Sequence, residues 1–134
     1  MANQLNTERD LLAACREWRR LAEAEGEAIR TRNWELCSAC QNALQVLRER
    51  ITALLPAVRA EWARPNGDGA ARQQAFDDTI RRLVELERRN QTLIESLREA
   101  ARTKIQQLNE AKIKLKQLRR SYGFAHAAAR QSFF

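Results

Sequence analysis

Helix breakers are scarce in this chain. Its 134 residues hold four glycines and two prolines. Pro65, Gly67 and Gly69 crowd into one stretch, Arg64-Pro65-Asn66-Gly67-Asp68-Gly69. With 44% hydrophobic and 31% charged residues, this suits an elongated helical protein with a thin core along its length. Histidine is almost missing: the single one, His126, lies in an alanine-rich tail. There is no glycine-rich phosphate loop, no G-x-S-x-G, no H-E-x-x-H and no paired-carboxylate setting. The chain is therefore read as a non-enzyme with no cofactor and no small-molecule substrate. No apolar run approaches the ~20 residues of a membrane span. The N-terminus, Met-Ala-Asn-Gln-Leu-Asn-Thr-Glu, lacks the basic-then-apolar signal pattern, and a cytoplasmic location is expected.

Cysteine is sparse and odd in number: Cys15, Cys37 and Cys40, unlike the even, denser set of a small secreted domain. Cys37-Ser-Ala-Cys40 is a C-x-x-C. Zinc would need four ligands, and the remaining candidates are Cys15 and His126. A thioredoxin-like motif would need a βαβ setting. Core packing of small apolar thiols is the expected role, with no metal site.

What the chain does have is a long apolar repeat. From Phe76 to Tyr122 a seam steps by alternating fours and threes: Phe76, Ile80, Leu83, Glu87, Asn90, Ile94, Leu97, Ala101, Lys104, Leu108, Ala111, Leu115, Leu118, Tyr122. Eleven of these fourteen are apolar or aromatic, with no glycine or proline inside. Such a 3.5-residue repeat belongs to a helix that packs on other helices. At about 1.5 Å per residue it makes a rod of roughly 70 Å.

The spacing predicts an all-α fold: an elongated antiparallel hairpin or three-helix coiled-coil bundle with one long C-terminal helix, as a single domain over 1–134. Helix one is expected over about 6–30, capped near Asn6 or Thr7, with the stripe Leu11, Cys15, Trp18, Ala22, Glu25, Ile29. A short turn at 30–33 offers Thr31 or Asn33 as the next cap; one helix running straight through is the alternative. Helix two, about 33–63, carries Cys37, Cys40, Leu44, Leu47, Ile51, Leu54, Val58 and Trp62. Pro56 inside it either bends the helix or ends one and starts another. Residues 64–69 form a loop, with Asp68 as a cap. Helix three then runs over about 70–120, with Gly123 as its stop and 121–134 as a tail. Trp18, Trp34 and Trp62 read by default as core anchors; for Trp34, just after the turn, half-exposure at a binding surface is the alternative. Asn90 reads as a polar residue that fixes register, or as a contact to a partner.

Charge is uneven. Residues 1–64 carry ten basic and nine acidic groups, 65–97 five and six, and 98–134 nine and two. The whole surplus of +7 thus sits in the last segment. Arg98, Arg102, Lys104, Lys112, Lys114, Lys116, Arg119 and Arg120 scatter round the helix. That scatter favours a solvated face over a nucleic-acid groove, and Tyr122 and Phe124 are too few aromatics for a base-stacking platform.

Two patches carry a family resemblance. The first is Trp18-Arg-Arg-Leu21-Ala-Glu-Ala-Glu25-Gly-Glu-Ala28-Ile29, leading into Asn33-Trp34-Glu35-Leu36 and on to Gln41 and Leu44-Gln-Val-Leu47. The second is Leu83-Val-Glu-Leu86-Glu-Arg-Arg-Asn90-Gln-Thr-Leu93-Ile94 before a long helix and Tyr122-Gly123. Together they resemble the flagellar type III export chaperones, chiefly FlgN-like, with FliT-like as a near relation. The resemblance implies a cytoplasmic chaperone that binds the C-terminal helices of hook-filament junction proteins. It would prevent their premature assembly and deliver them to the export gate. It places the client groove at Leu108, Ala111, Leu115 and Leu118, with Ile105 beside the seam, and the gate contact at Tyr122. Periodicity offers independent support: the seam outruns the helices available to cover it, and amphipathic partner helices bind in such grooves. An interface of ~1,200–2,000 Å² would make a specific complex. The competing readings are a basic coiled-coil nucleic-acid-binding protein and a structural coiled coil that homodimerises through 76–122.

Overall fold

The chain is all-helical in a computed structural model that describes the backbone of residues 2–132 and the side chains of 6–123. Three helices follow in order: α1 (Ala2–Arg30), α2 (Trp34–Trp62) and α3 (Gly69–Ser132). The chain divides into two compact units, Met1–Ile94 and Glu95–Phe134.

The α1–α2 turn is a real break. Asn33 N–H donates to Ala28 O at 2.8 Å and Arg32 N–H to Ile29 O at 3.1 Å. This crossed pair satisfies carbonyls that the end of α1 leaves open. It needs a left-handed residue, and Arg32 supplies it with φ of 58°. Of the two expected caps, Asn33 serves: its Oδ1 accepts from the Leu36 N–H at 3.2 Å. Thr31 instead bonds back to Glu27 O at 2.9 Å.

α2 continues through Pro56, which is exposed, so a stop and restart does not occur. The missing amide hydrogen bond falls on the solvent side, where water can serve the freed carbonyl. After α2 the chain turns so tightly that a Cβ on Gly69 would lie 1.9 Å from Trp62 O. Only glycine fits there, whatever its φ.

Two expected ends move outward. α1 is already helical at Ala2 rather than starting near Asn6 or Thr7, because nothing in Ala-Asn-Gln-Leu-Asn-Thr breaks a helix. α3 passes through Gly123 to Ser132 instead of ending near 120. Gly123 has no positive φ, and one interior glycine costs only ~1 kcal/mol against alanine. The alanines that follow are the strongest helix formers. The side chains of Phe124 and His126 lie outside the described residues.

Within residues 1–94, α1 and α2 run antiparallel through their short turn. α3 returns parallel to α1, since Arg72 meets Glu8 and Asn90 meets Glu25. Small buried residues, Ala14, Cys15, Ala22, Ala28, Cys37 and Cys40, let α1 and α2 approach closely. Phe76 and Leu83 of α3 reach into the same core with Leu11, Trp18, Leu44, Ile51, Val58 and Trp62. Trp62 and Phe76 rings meet at 5.7 Å, tilted by 50°, a favourable offset for two aromatic quadrupoles.

Candidate functional site

The seam of α3 divides at Ile94. Up to that residue it is covered: Phe76, Leu83, Asn90 and Ile94 are buried, and Ile80 and Leu86 pack partly against the core. Its two polar members are each held by partners. Asn90, 4% exposed, donates through Nδ2 to Ala22 O at 2.8 Å and to Glu25 Oε1 at 2.9 Å. Of the two roles open to Asn90, the internal one is occupied. It fixes the register of α3 on α1. Gly26 belongs to this contact, because a Cβ there would stand 2.8 Å from Asn90 Oδ1. Glu87 Oε1 accepts from Trp18 Nε1 at 3.0 Å and pairs with Arg48. The Arg48 guanidinium also lies 5.7 Å from the Trp18 ring centre, within cation–π range.

Glu25 lies beside the two thiols of the C-x-x-C. Burial pushes the Cys37 and Cys40 thiols above their ordinary pKa, and the Glu25 charge adds to the shift. Burial likewise raises Cys15. All three are free and buried. A thiol held protonated inside a helix pair is a weak nucleophile, so these cysteines act as core side chains.

Beyond Ile94 exposure changes abruptly. Every described side chain from 98 to 123 is exposed. All six expected contact residues fall here: Ile105 (58% exposed), Leu108 (59%), Leu115 (51%), Leu118 (66%), Tyr122 (74%) and Ala111. On one helix these share a face by their spacing. The structure adds Ile113, 56% exposed, which lies off the seam and for that reason escaped the spacing. The chemistry available to this face is burial of aliphatic surface against another helix.

No family model, characterised protein or solved structure matches the chain. The site is therefore judged on its own geometry.

Two further surface features stand out, and the first settles the two readings of Trp34. Trp34 is half-exposed, with Leu36 and Val46 also exposed on α2. Trp18 and Trp62 are buried anchors as expected, but Trp34, first in its helix, is not. The second feature is an open groove between α2 and α3, lined by Ile51, Leu55, Phe76 and Ile80 together with Arg48 and Arg59. Among the described residues no group of three or more His, Cys, Asp or Glu could hold a metal. No helix among them is long and apolar enough to cross a membrane.

Proposed function

We propose that the chain is an export chaperone of the flagellar type, which takes a client helix along residues 97–122 of α3. One observation carries this reading: a regular aliphatic row, Leu108, Leu115 and Leu118 with Ile105 beside it, is more than half exposed. Monomeric soluble proteins rarely expose contiguous apolar patches of this kind without a partner to cover them. A helix laid into the row would bury its own apolar face by the i, i+3, i+4, i+7 pattern. Hook-filament junction proteins, whose C-terminal helices are apolar on one side, are the clients that the sequence resemblance implies. Tyr122 at the end of the row is the proposed contact to the export gate, and the cytoplasm the proposed site of action. Leu83-to-Ile94, the patch that resembles the family signature, serves the internal contact of Asn90 with Glu25. It would support the bundle while 97–122 does the binding.

The test is calorimetric titration of the full chain with the C-terminal helical segment of a hook-filament junction protein. Saturable binding is expected, weakened at least ~10-fold by Leu108→Ser with Leu115→Ser, the scale of losing two buried leucine contacts. Both leucines are exposed in the free chain, so melting of the bundle is expected to stay unchanged. Unaltered affinity in the double variant would remove the proposal.

A further inference from the structure

We propose that the helix accepted by residues 97–122 is an acidic amphipathic one, with carboxylates flanking its own apolar seam. This rests on the docking reading above and adds the chemistry of the partner.

The inference comes from where the charges of α3 stand relative to its seam. In heptad terms Leu97 and Leu118 occupy d positions, and Leu108 and Leu115 occupy a positions. The e and g positions then border the seam and meet the neighbouring helix, while b, c and f face away. In the covered seam from Phe76 to Ile94, the bordering residues Asp77, Thr79, Val84, Leu86, Gln91 and Leu93 include no cation. The four arginines there, Arg81, Arg82, Arg88 and Arg89, all take b or c positions and are exposed.

Past Ile94 cations stand on the border as well, while Arg102, Lys116 and Arg120 keep the outward b and f positions. Arg98, Lys112 and Arg119 occupy e, and Lys114 occupies g. The three acidic residues, Glu95, Glu99 and Glu110, take b, f and c. Arg102 pairs with Glu99 at 3.9 Å, both on the outward side. The seam is thus bordered by four cations and no anion, with Lys104 on the seam itself.

The molecule shows what such a bordering cation meets when a helix does cover it. Arg72 takes a g position at the start of α3. It pairs with Glu8 of α1 at 2.9 Å and with Asp68 at 3.1 Å. Arg98, Lys112, Lys114 and Arg119 call for the same complement from the incoming helix. Flanking charges of this kind choose partners by repelling wrong ones as well as attracting right ones.

A second copy of this chain does not supply the complement. Parallel pairing would set e against g, and antiparallel pairing e against e and g against g. In-register parallel pairing sets Lys114 against Arg119 and puts Arg98 and Lys112 opposite Leu93 and Gln107, and no e or g position past Ile94 offers a carboxylate in either orientation. A nucleic acid would satisfy the cations and leave the aliphatic row uncovered.

The experiment uses three designed helical peptides with one shared leucine seam and glutamate, glutamine or lysine at every e and g position. Each is titrated against the full chain by fluorescence anisotropy. The glutamate peptide is expected to bind ~10-fold or more tighter than the glutamine peptide, as several modest exposed pairs would give. The lysine peptide is expected to be weakest. The advantage should shrink as salt rises from about 50 to 300 mM, where screening shortens to within a pair's reach. Reversing the border with Arg98→Glu, Lys112→Glu, Lys114→Glu and Arg119→Glu should make the lysine peptide the best binder.

Equal binding of the glutamate and glutamine peptides would overturn the acidic partner and leave the docking reading standing. Binding by none of the three would overturn both. A short random-sequence RNA that displaces the glutamate peptide, and still binds after Leu108→Ser with Leu115→Ser, would assign the cations to nucleic acid and overturn the proposal.

Discussion

Asn90 and Gly26 form a matched pair, and their meaning appears only when α1 and α3 are seen together. Asn90 is buried and spends its amide on Ala22 O and Glu25 Oε1, while Gly26 leaves room for its Oδ1. Removing the side chain with Asn90→Ala strands the buried Glu25 oxygen and should cost ~1–3 kcal/mol. Gly26→Ala is the sharper probe. In a free helix it would gain ~1 kcal/mol. Here the new methyl meets a side chain fixed by two hydrogen bonds, so a loss of ~1–3 kcal/mol is expected, as for overpacking. In the Asn90→Ala background the same change should become stabilising. A urea-denaturation cycle over the four proteins checks this reversal, and a Gly26→Ala effect that is the same in both backgrounds contradicts it. Asn90 as a polar step in the seam was visible in the sequence; its partners were not, because neither Glu25 nor Gly26 signals a contact across more than sixty residues of chain.

At the scale of elements, periodicity located the helices well because α1, α2 and the start of α3 obey one rule, apolar residues facing a common core. Ends were read less well. A helix end depends on backbone hydrogen bonds that few side chains announce. Asn33 announced one, and its Oδ1 does cap α2. Gly123 suggested a stop that does not occur, since nothing there requires left-handed geometry. Arg32 is the opposite case: it takes φ of 58°, a place that favours glycine, and no residue type marks it. Arg32→Gly should relieve the left-handed cost of ~1–2 kcal/mol while adding ~0.4–1 kcal/mol of unfolded-chain entropy. A net gain of ~0.5–1 kcal/mol is expected. A lowered urea midpoint for this variant would mean that the α1–α2 turn is held by Arg32 side-chain contacts rather than by its backbone. Trp34 shows the same limit from another side: the spacing left it open between core and surface, and it stands half-exposed because the first residue of a helix faces few neighbours.

For the whole molecule, one seam with one sequence rule has two fates. Up to Ile94 it is covered by α1 and α2, and its polar members are paired internally. From 98 to 123 its side chains are exposed, and this stretch lies in the segment that carries the whole excess of positive charge. A helix whose apolar face is exposed relies largely on intrinsic propensity, which is marginal in water. Exchange of its amide hydrogens should report that difference. Hydrogen exchange of the full chain, followed residue by residue with and without the glutamate-flanked peptide, is the most direct measurement. Fast exchange over 98–122 in the free chain, against slow exchange over 76–94, and strong slowing of 98–122 once the peptide is bound, is the expected result. Protection over 98–122 that already equals that of 76–94 in the free chain, and does not change with peptide, would contradict the claim that this face is completed by another molecule's helix.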